Sequence, residues 1–217
     1  MPPSPFIVIE ALDAGGSQTQ TDLLVRRFRR EKYEVLPLHF PHEDRATGKL
    51  IYEKFLHSGN KGGFSRREQA LLYIQDFFSR NEDIISFLKR RGKRVVVSDR
   101  FCTSTFSYQT LGLTGQARKK QLAWLKWLCY EEDPVLPKPA LVVFVDVPVE
   151  VSLRRLSNKK VDYFEKQQRL EAIRKSYLRL AGEDGWHVIN GVDDQGNERT
   201  RQDLHKEIWQ IVQPLLS

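Results

Sequence analysis

The chain is poor in cysteine and methionine, with two of the first and one of the second. Cys102 and Cys129 are too few for a disulfide framework or a cysteine-ligated metal cluster. A bilayer-spanning helix needs roughly 18 or more apolar residues in succession, and no run here approaches that. The opening Met1-Pro2-Pro3-Ser4-Pro5 lacks the basic and apolar regions of a secretory leader. Internal repeats and low-complexity tracts are also missing. These absences exclude secreted disulfide scaffolds, membrane spans, zinc modules and collagen-like chains, and a cytoplasmic location in a reducing compartment is expected.

What is present suits one folded unit. The 217 residues are 40% hydrophobic and 29% charged, enough apolar surface for a core. At about 150 residues per domain the length falls between one and two domains, and a single α/β domain over 1–217 with a short excursion fits best. The formal charge is +7 and the isoelectric point about 9.4. Basic residues gather at Arg26-Arg27-Phe28-Arg29-Arg30, at Lys89-Arg90-Arg91-Gly92-Lys93-Arg94 and at Arg118-Lys119-Lys120. The first two clusters sit where helices end, a position that favours cations. With no zinc finger, RNP signature or arginine-rich arm, nucleic acid is an unlikely partner, and a phosphorylated small molecule is the better one.

Short apolar runs alternate with amphipathic stretches. Phe6–Glu10, Tyr33–Phe40, Arg94–Ser98, Leu141–Asp146 and Trp186–Asn190 read as strands, with Pro37 marking an edge or an irregularity. Leu23–Arg30, Arg45–Leu56, the long pattern Ser65–Arg91 and a closing segment Thr200–Leu216 read as helices. The Trp124-Trp127-Leu128 stripe reads as core. Strands separated by helices, several of them apolar throughout, predict a five-stranded parallel sheet flanked by helices. Ligands of such sheets bind at the carboxyl ends of the strands, so the polar segments there carry the functional reading.

The first of these is Glu10-Ala11-Leu12-Asp13-Ala14-Gly15-Gly16-Ser17-Gln18-Thr19-Gln20. A P-loop has Gly-x-x-x-x-Gly-Lys-Ser/Thr at this place, with backbone N–H groups around phosphate and a lysine as point charge. Here Ala11 replaces the first glycine, Ser17 the lysine and Gln18 the hydroxyl residue. Ala14, Gly15, Gly16, Ser17, Gln18 and Thr19 can still form an anion-binding turn before a helix N-terminus. Thr19 or Ser17 can offer a hydroxyl to a metal. An ordinary glycine-bearing strand-to-helix turn would read the same.

Further segments, in order along the chain, resemble the thymidylate kinase family. Phe40-Pro41 followed by Thr47-Gly48-Lys49-Leu50-Ile51 is similar to its Phe-Pro … Thr-Gly-Lys-Leu-Ile segment, and Asp99-Arg100-Phe101 with Ser104 to Gln109 to its Asp-Arg-Tyr … Ser-x-x-Tyr-Gln. Phe6 to Gln20 resembles the opening strand and loop. Asp146 to Leu156 and Asp162-Tyr163-Phe164-Glu165 resemble the nucleoside-side helix and lid. The resemblance runs from about Phe6 to Leu216 and implies a nucleoside-monophosphate-kinase fold with a lid at about 156–166. It also implies transfer of the γ-phosphoryl of ATP to thymidine monophosphate (dTMP) with Mg2+, and a homodimer.

Carried over residue by residue, the resemblance implies Asp13 and Arg100 at the acceptor phosphate, and Phe40, Thr105, Tyr108 and Gln109 around the nucleoside. Arg155, Lys159 and Lys160 fall on the donor side, where with Arg154 they are candidates for the charge the loop lacks. Asp13, Thr19 and Glu165 are the metal candidates. The family carries an aromatic residue and, four positions on, an arginine in its long helix. Counting forward from Tyr73 puts Phe77 there, and counting backward from Asp99 puts Arg80 there. On one unbroken helix Tyr73, Phe77 and Arg80 share a face, so Arg80 is expected to supply the charge and Tyr73 or Phe77 the stacking surface. Cys102 is expected to line the pocket without reacting, and His39 and His42 to sit at a strand-end surface. A nucleotide-binding homologue with impaired catalysis, and a kinase for another nucleoside monophosphate, are the alternative functions.

Overall fold

The computed structural model describes residues 4–56, 63–133, 135–156 and 163–216, with side chains of 163–165 left aside. The strands are β1 (Phe6–Ala11), β2 (Glu34–His39), β3 (Arg94–Asp99), β4 (Leu141–Asp146) and β5 (His187–Asn190). They form one parallel sheet in the order β2-β3-β1-β4-β5. β1, β3 and β4 are buried along their whole length, which is why they read as unbroken apolar runs. Pro37 lies in β2, at the sheet margin, where a residue without an N–H is tolerated.

Helices cover both faces. They are α1 (Ser17–Arg30), α2 (Ala46–Ile51) with a π-helical turn at Tyr52–Leu56, α3 (Arg66–Phe78), α4 (Asn81–Lys89) and α5 (Cys102–Tyr108). After them come α6 (Gly115–Tyr130), α7 (Val149–Leu156), α8 (Tyr163–Asp184) and α9 (Arg201–Val212). Successive side chains of a strand point to opposite faces. Phe6 and Val8 of β1 accordingly join Ile74, Phe77, Phe101 and Leu125 in one core layer. Ile7, Ile9 and Ala11 join Leu24, Phe28, Ile208 and Trp209 in the other. A third cluster ties Leu12 and Phe144 to Leu153, Ile173 and Tyr177 of α7 and α8.

Three sequence expectations change. α1 begins at Ser17, not Leu23, because Gly16 turns the chain at φ 107° and starts the helix at once. The stretch expected as one helix over Ser65–Arg91 is two helices. α3 opens with a capping box, Ser65 Oγ accepting from Glu68 N and Glu68 Oε2 from Ser65 N. It closes where Ser79 Oγ donates to Asp76 O at 2.6 Å, a side-chain bond that competes with the helical ladder. Arg80, at φ −116° and ψ 2°, then caps α4. In the tryptophan stripe, Trp124 and Leu128 pack on the core as expected, but Trp127 is 43% exposed.

Candidate active site

The loop after β1 turns so tightly that Gly15 has no room for a side chain. A Cβ there would meet Ala11 Cβ and Leu12 O, both at 2.8 Å. Gly15 N donates to Leu12 O at 2.8 Å, and Ala14 and Gly16 take positive φ on either side. The first-turn amides of α1 therefore open onto a cavity of about 670 Å³ lined by Asp13 to Gln20. Its far wall is Arg155 with Glu198 to Arg201. Arg155 Nη1 donates to Ala14 O at 3.0 Å and Nη2 pairs with Glu198 Oε2 at 2.6 Å. The guanidinium also lies 3.9 Å from where a Gly16 Cβ would be, placing it against the phosphate loop itself. Arg154 pairs with the same Glu198.

A second cavity, of about 600 Å³, lies between the ends of β2 and β3 and the helices α3, α5 and α8. It is lined by Phe40, Tyr73, Phe77, Thr105, Tyr108 and Gln109 from the expected set, and also by Tyr52, Arg66 and Arg169. Asp13, His39 and Arg100 line both cavities and form the junction between them.

Arg100 is the centre of that junction. It sits at φ 63°, a left-handed conformation that costs a non-glycine residue about 1–3 kcal/mol and clusters at functional sites. Its Nη2 donates to Asp13 Oδ1 at 2.9 Å and its Nη1 to the Tyr177 hydroxyl at 3.2 Å. Beneath it Glu10 is fully buried. Glu10 Oε1 accepts from Thr103 Oγ1 at 2.6 Å and Phe101 N at 3.2 Å; Oε2 accepts from Ser104 Oγ at 2.5 Å and the Tyr177 hydroxyl at 3.0 Å. Burial raises the Glu10 pKa, and Arg100 with the hydroxyl donors oppose that rise. The Tyr108 hydroxyl lies 3.4 Å from Asp13 Oδ1, and burial drives its pKa up too. The Tyr73 hydroxyl is pushed to about 12, mainly by burial.

His39 joins β2 to the same junction. Its Nδ1 lies 2.8 Å from Asp99 Oδ2, a contact that holds the imidazole pKa above its ordinary value. Its Nε2 faces the Tyr52 hydroxyl at 3.3 Å. The other Asp99 oxygen, Oδ1, is buried without a hydrogen-bond partner among the described residues. No group of three or more acidic, histidine or cysteine side chains that could cage a metal occurs among the described residues. Mg2+ at kinase sites is held by one or two carboxylates together with substrate phosphates and water. Asp99, whose Oδ1 is without a partner, and Asp13 and Thr19 all line that cavity and supply the oxygen donors such a site uses.

Several expected placements need correction. Arg80 does not line the acceptor cavity; the break at Ser79 removes it from the face shared by Tyr73 and Phe77, and its Nε faces Asp83 Oδ2 at 3.2 Å. Phe77 is buried against Phe40 and Phe101, with ring centroids 4.9 and 5.2 Å away, and only an edge meets the cavity. Cys102 is not pocket lining; it is fully buried, its Sγ 3.0 Å from the Tyr130 hydroxyl. His39 belongs to the site and not merely to a strand-end surface. Lys159, Lys160, most of the segment 156–166 and the Glu165 side chain lie outside the described residues. Arg66, Arg169, Arg199 and Arg201 were not anticipated; nothing in the local pattern sets them apart from solvated helix charges.

A parallel sheet whose first strand runs through a glycine turn into a helix N-terminus, with two cavities meeting at one arginine, is the architecture of P-loop nucleoside-monophosphate kinases. The family model for thymidylate kinase matches residues 9–204. A probable thymidylate kinase of Thermococcus gammatolerans is 33% identical over 96% of this chain and 95% of its own length. A thymidylate kinase of Thermosipho africanus is 29% identical, over 88% and 92%. Among solved structures, the thymidylate kinase of Candida albicans aligns at a TM-score of 0.73 with 22% identity, covering 98% of this chain and 92% of the other. The chain belongs to the thymidylate kinase family.

Proposed function

We propose that this protein transfers the γ-phosphoryl group of ATP to dTMP, yielding dTDP and ADP. The observation that carries the reading is the junction of Asp13, His39 and Arg100, common to a loop that can hold a triphosphate and a cavity that can hold a nucleoside. In this reading Arg100 binds the acceptor phosphate, and Asp13, bonded to it, fixes its fork toward the junction. Phe40, Tyr73 and Tyr108 enclose the nucleoside with apolar faces, while Thr105 and Gln109 offer polar groups to base and sugar. An acceptor phosphate oxygen bonds to the γ-phosphorus as the bond to the β,γ-bridging oxygen breaks, and ADP leaves. Such transfer needs positioning and charge neutralisation more than covalent chemistry.

Ser17 leaves the loop without its usual cation, and Arg155 takes that place: its guanidinium reaches the loop from α7 and already touches Ala14 O. Glu198 holds that guanidinium against the loop. Asp13, Asp99 and Thr19 would hold Mg2+, which when bound with ATP offsets the negative charge of the β- and γ-phosphates. No described helix is long and apolar enough to cross a membrane. The reading is tested by ADP release with ATP, Mg2+ and each of dTMP, dUMP, UMP and dGMP. Turnover fastest with dTMP is the expected outcome; tight dTMP binding without turnover would replace it with a non-catalytic nucleotide binder.

A further inference from the structure

The backbone of Arg100 is fixed at both of its polar groups. Arg100 N donates to Ile9 O at 3.0 Å, and Ser98 Oγ donates to Arg100 O at 2.5 Å. The guanidinium lies several rotatable bonds further out and has two holds of its own. Asp13 steadies it from the solvent side, but that carboxylate is 54% exposed, and a pair so open to water contributes little by itself. The other hold is the Tyr177 hydroxyl, 3.2 Å from Nη1, on a side chain that is fully buried.

The surroundings of Tyr177 fix that hydroxyl in place. Its ring stacks on Phe144 of β4, with centroids 4.8 Å apart and planes 8° from parallel, and meets Tyr108 edge-on at 6.1 Å. One residue earlier, Ser176 Oγ donates to Ser107 O at 3.0 Å and ties α8 to α5. The hydroxyl proton has a buried acceptor, Glu10 Oε2 at 3.0 Å, which leaves an oxygen lone pair to accept from Arg100 Nη1. Burial, and after it the nearby Glu10 carboxyl, raises the phenol pKa well above its ordinary value, so the group stays a hydroxyl near neutral pH. Tyr177 lines neither of the two cavities. Its route to a ligand is through Arg100.

We propose that Tyr177 is a positioning residue for the acceptor phosphate: its hydroxyl, backed by Glu10, holds the Arg100 fork at the junction from the buried side. The proposal rests on the kinase reading above and extends it to a side chain outside both cavities. Without the hydroxyl, Nη1 loses its buried acceptor, and the fork must be ordered anew whenever a phosphate arrives. A nucleoside without phosphate makes no use of the fork and should register no difference.

Calorimetric titration of the full chain with dTMP and with thymidine isolates the phosphate share of binding. Tyr177→Phe deletes one oxygen and keeps the stacked ring. It should weaken dTMP about threefold to tenfold, the range for one hydrogen bond, and leave thymidine within about twofold. In an Arg100→Lys background the same change should weaken dTMP by less than about twofold, since the group it acts through is gone. Thr103→Val takes a buried donor from the same Glu10 carboxylate without touching Arg100, and should move neither ligand by more than about twofold. Four results would each overturn the proposal and leave the kinase reading standing: equal weakening of both ligands, unchanged dTMP binding in Tyr177→Phe, the full loss persisting beside Arg100→Lys, or Thr103→Val matching Tyr177→Phe. A wild-type chain that binds no dTMP would overturn both.

Discussion

Replacing Glu10 should be among the most costly single changes near the junction. Two carboxylate oxygens gather four donors, from Phe101, Thr103, Ser104 and Tyr177. In Glu10→Ala, Ser104 and Tyr177 keep each other at 2.9 Å, but the Phe101 N–H and the buried Thr103 hydroxyl lose their acceptor. An unsatisfied buried donor costs about 1–3 kcal/mol, and release of a buried carboxylate offsets part of the total, so a net loss of about 2–4 kcal/mol is expected. Glu10→Gln retains one acceptor oxygen and should lose only about 1 kcal/mol. The pH dependence differs as well. Burial raises the folded carboxyl pKa above its ordinary 4.5, so the folded state holds a proton that the unfolded chain has released. Stability from this group thus falls as pH rises from about 4.5 through the folded value, and Glu10→Gln should remove that slope. Denaturant midpoints across pH measure both effects. A Glu10→Ala variant within about 0.5 kcal/mol of wild type would refute the view that this carboxylate organises the junction.

Arg155→Ala should lower kcat/KM for ATP about a hundredfold, as loss of one pre-organised donor does, while dTMP affinity stays within about twofold; unaltered ATP kinetics would remove Arg155 from the donor site. Asp99 raises the His39 pKa above its ordinary 6.5, with burial and Arg100 opposing the shift and Glu43 adding to it. Its stabilising charge is complete below about pH 6.5 and is lost as pH rises through the folded value. His39→Asn should flatten that step in denaturation midpoints, and parallel wild-type and variant curves would show that the pair carries no linkage.

The sheet was legible because its three inner strands, β1, β3 and β4, are buried on both faces and so appear as unbroken apolar runs. The loop after β1 was legible only together with the segments that follow it in order along the chain, since Gly15-Gly16 by itself reads the same as an ordinary strand-to-helix turn. Glu10 left a signal in the sequence, a carboxylate closing an apolar strand, although its four donors come from distant segments. Arg80 misled because helical phase was carried through Ser79, where a serine hydroxyl ends the ladder. Arg169 and His39 were illegible for a different reason. Their place on one cavity wall with Arg100 is created by where α8 packs and by the β2–β3 pairing, which places His39 opposite Asp99, and no local pattern records either event.

Pro37 has a consequence beyond its own strand. A sheet that stays open at both margins invites a stranger's backbone to add itself and begin a fibre. On one flank the imino acid removes a donor from the row such an intruder would need. On the other, the exposed strand runs only four residues. Neither flank gives an incoming chain much to grip, so crowding should bring these molecules together without knitting them into aggregates.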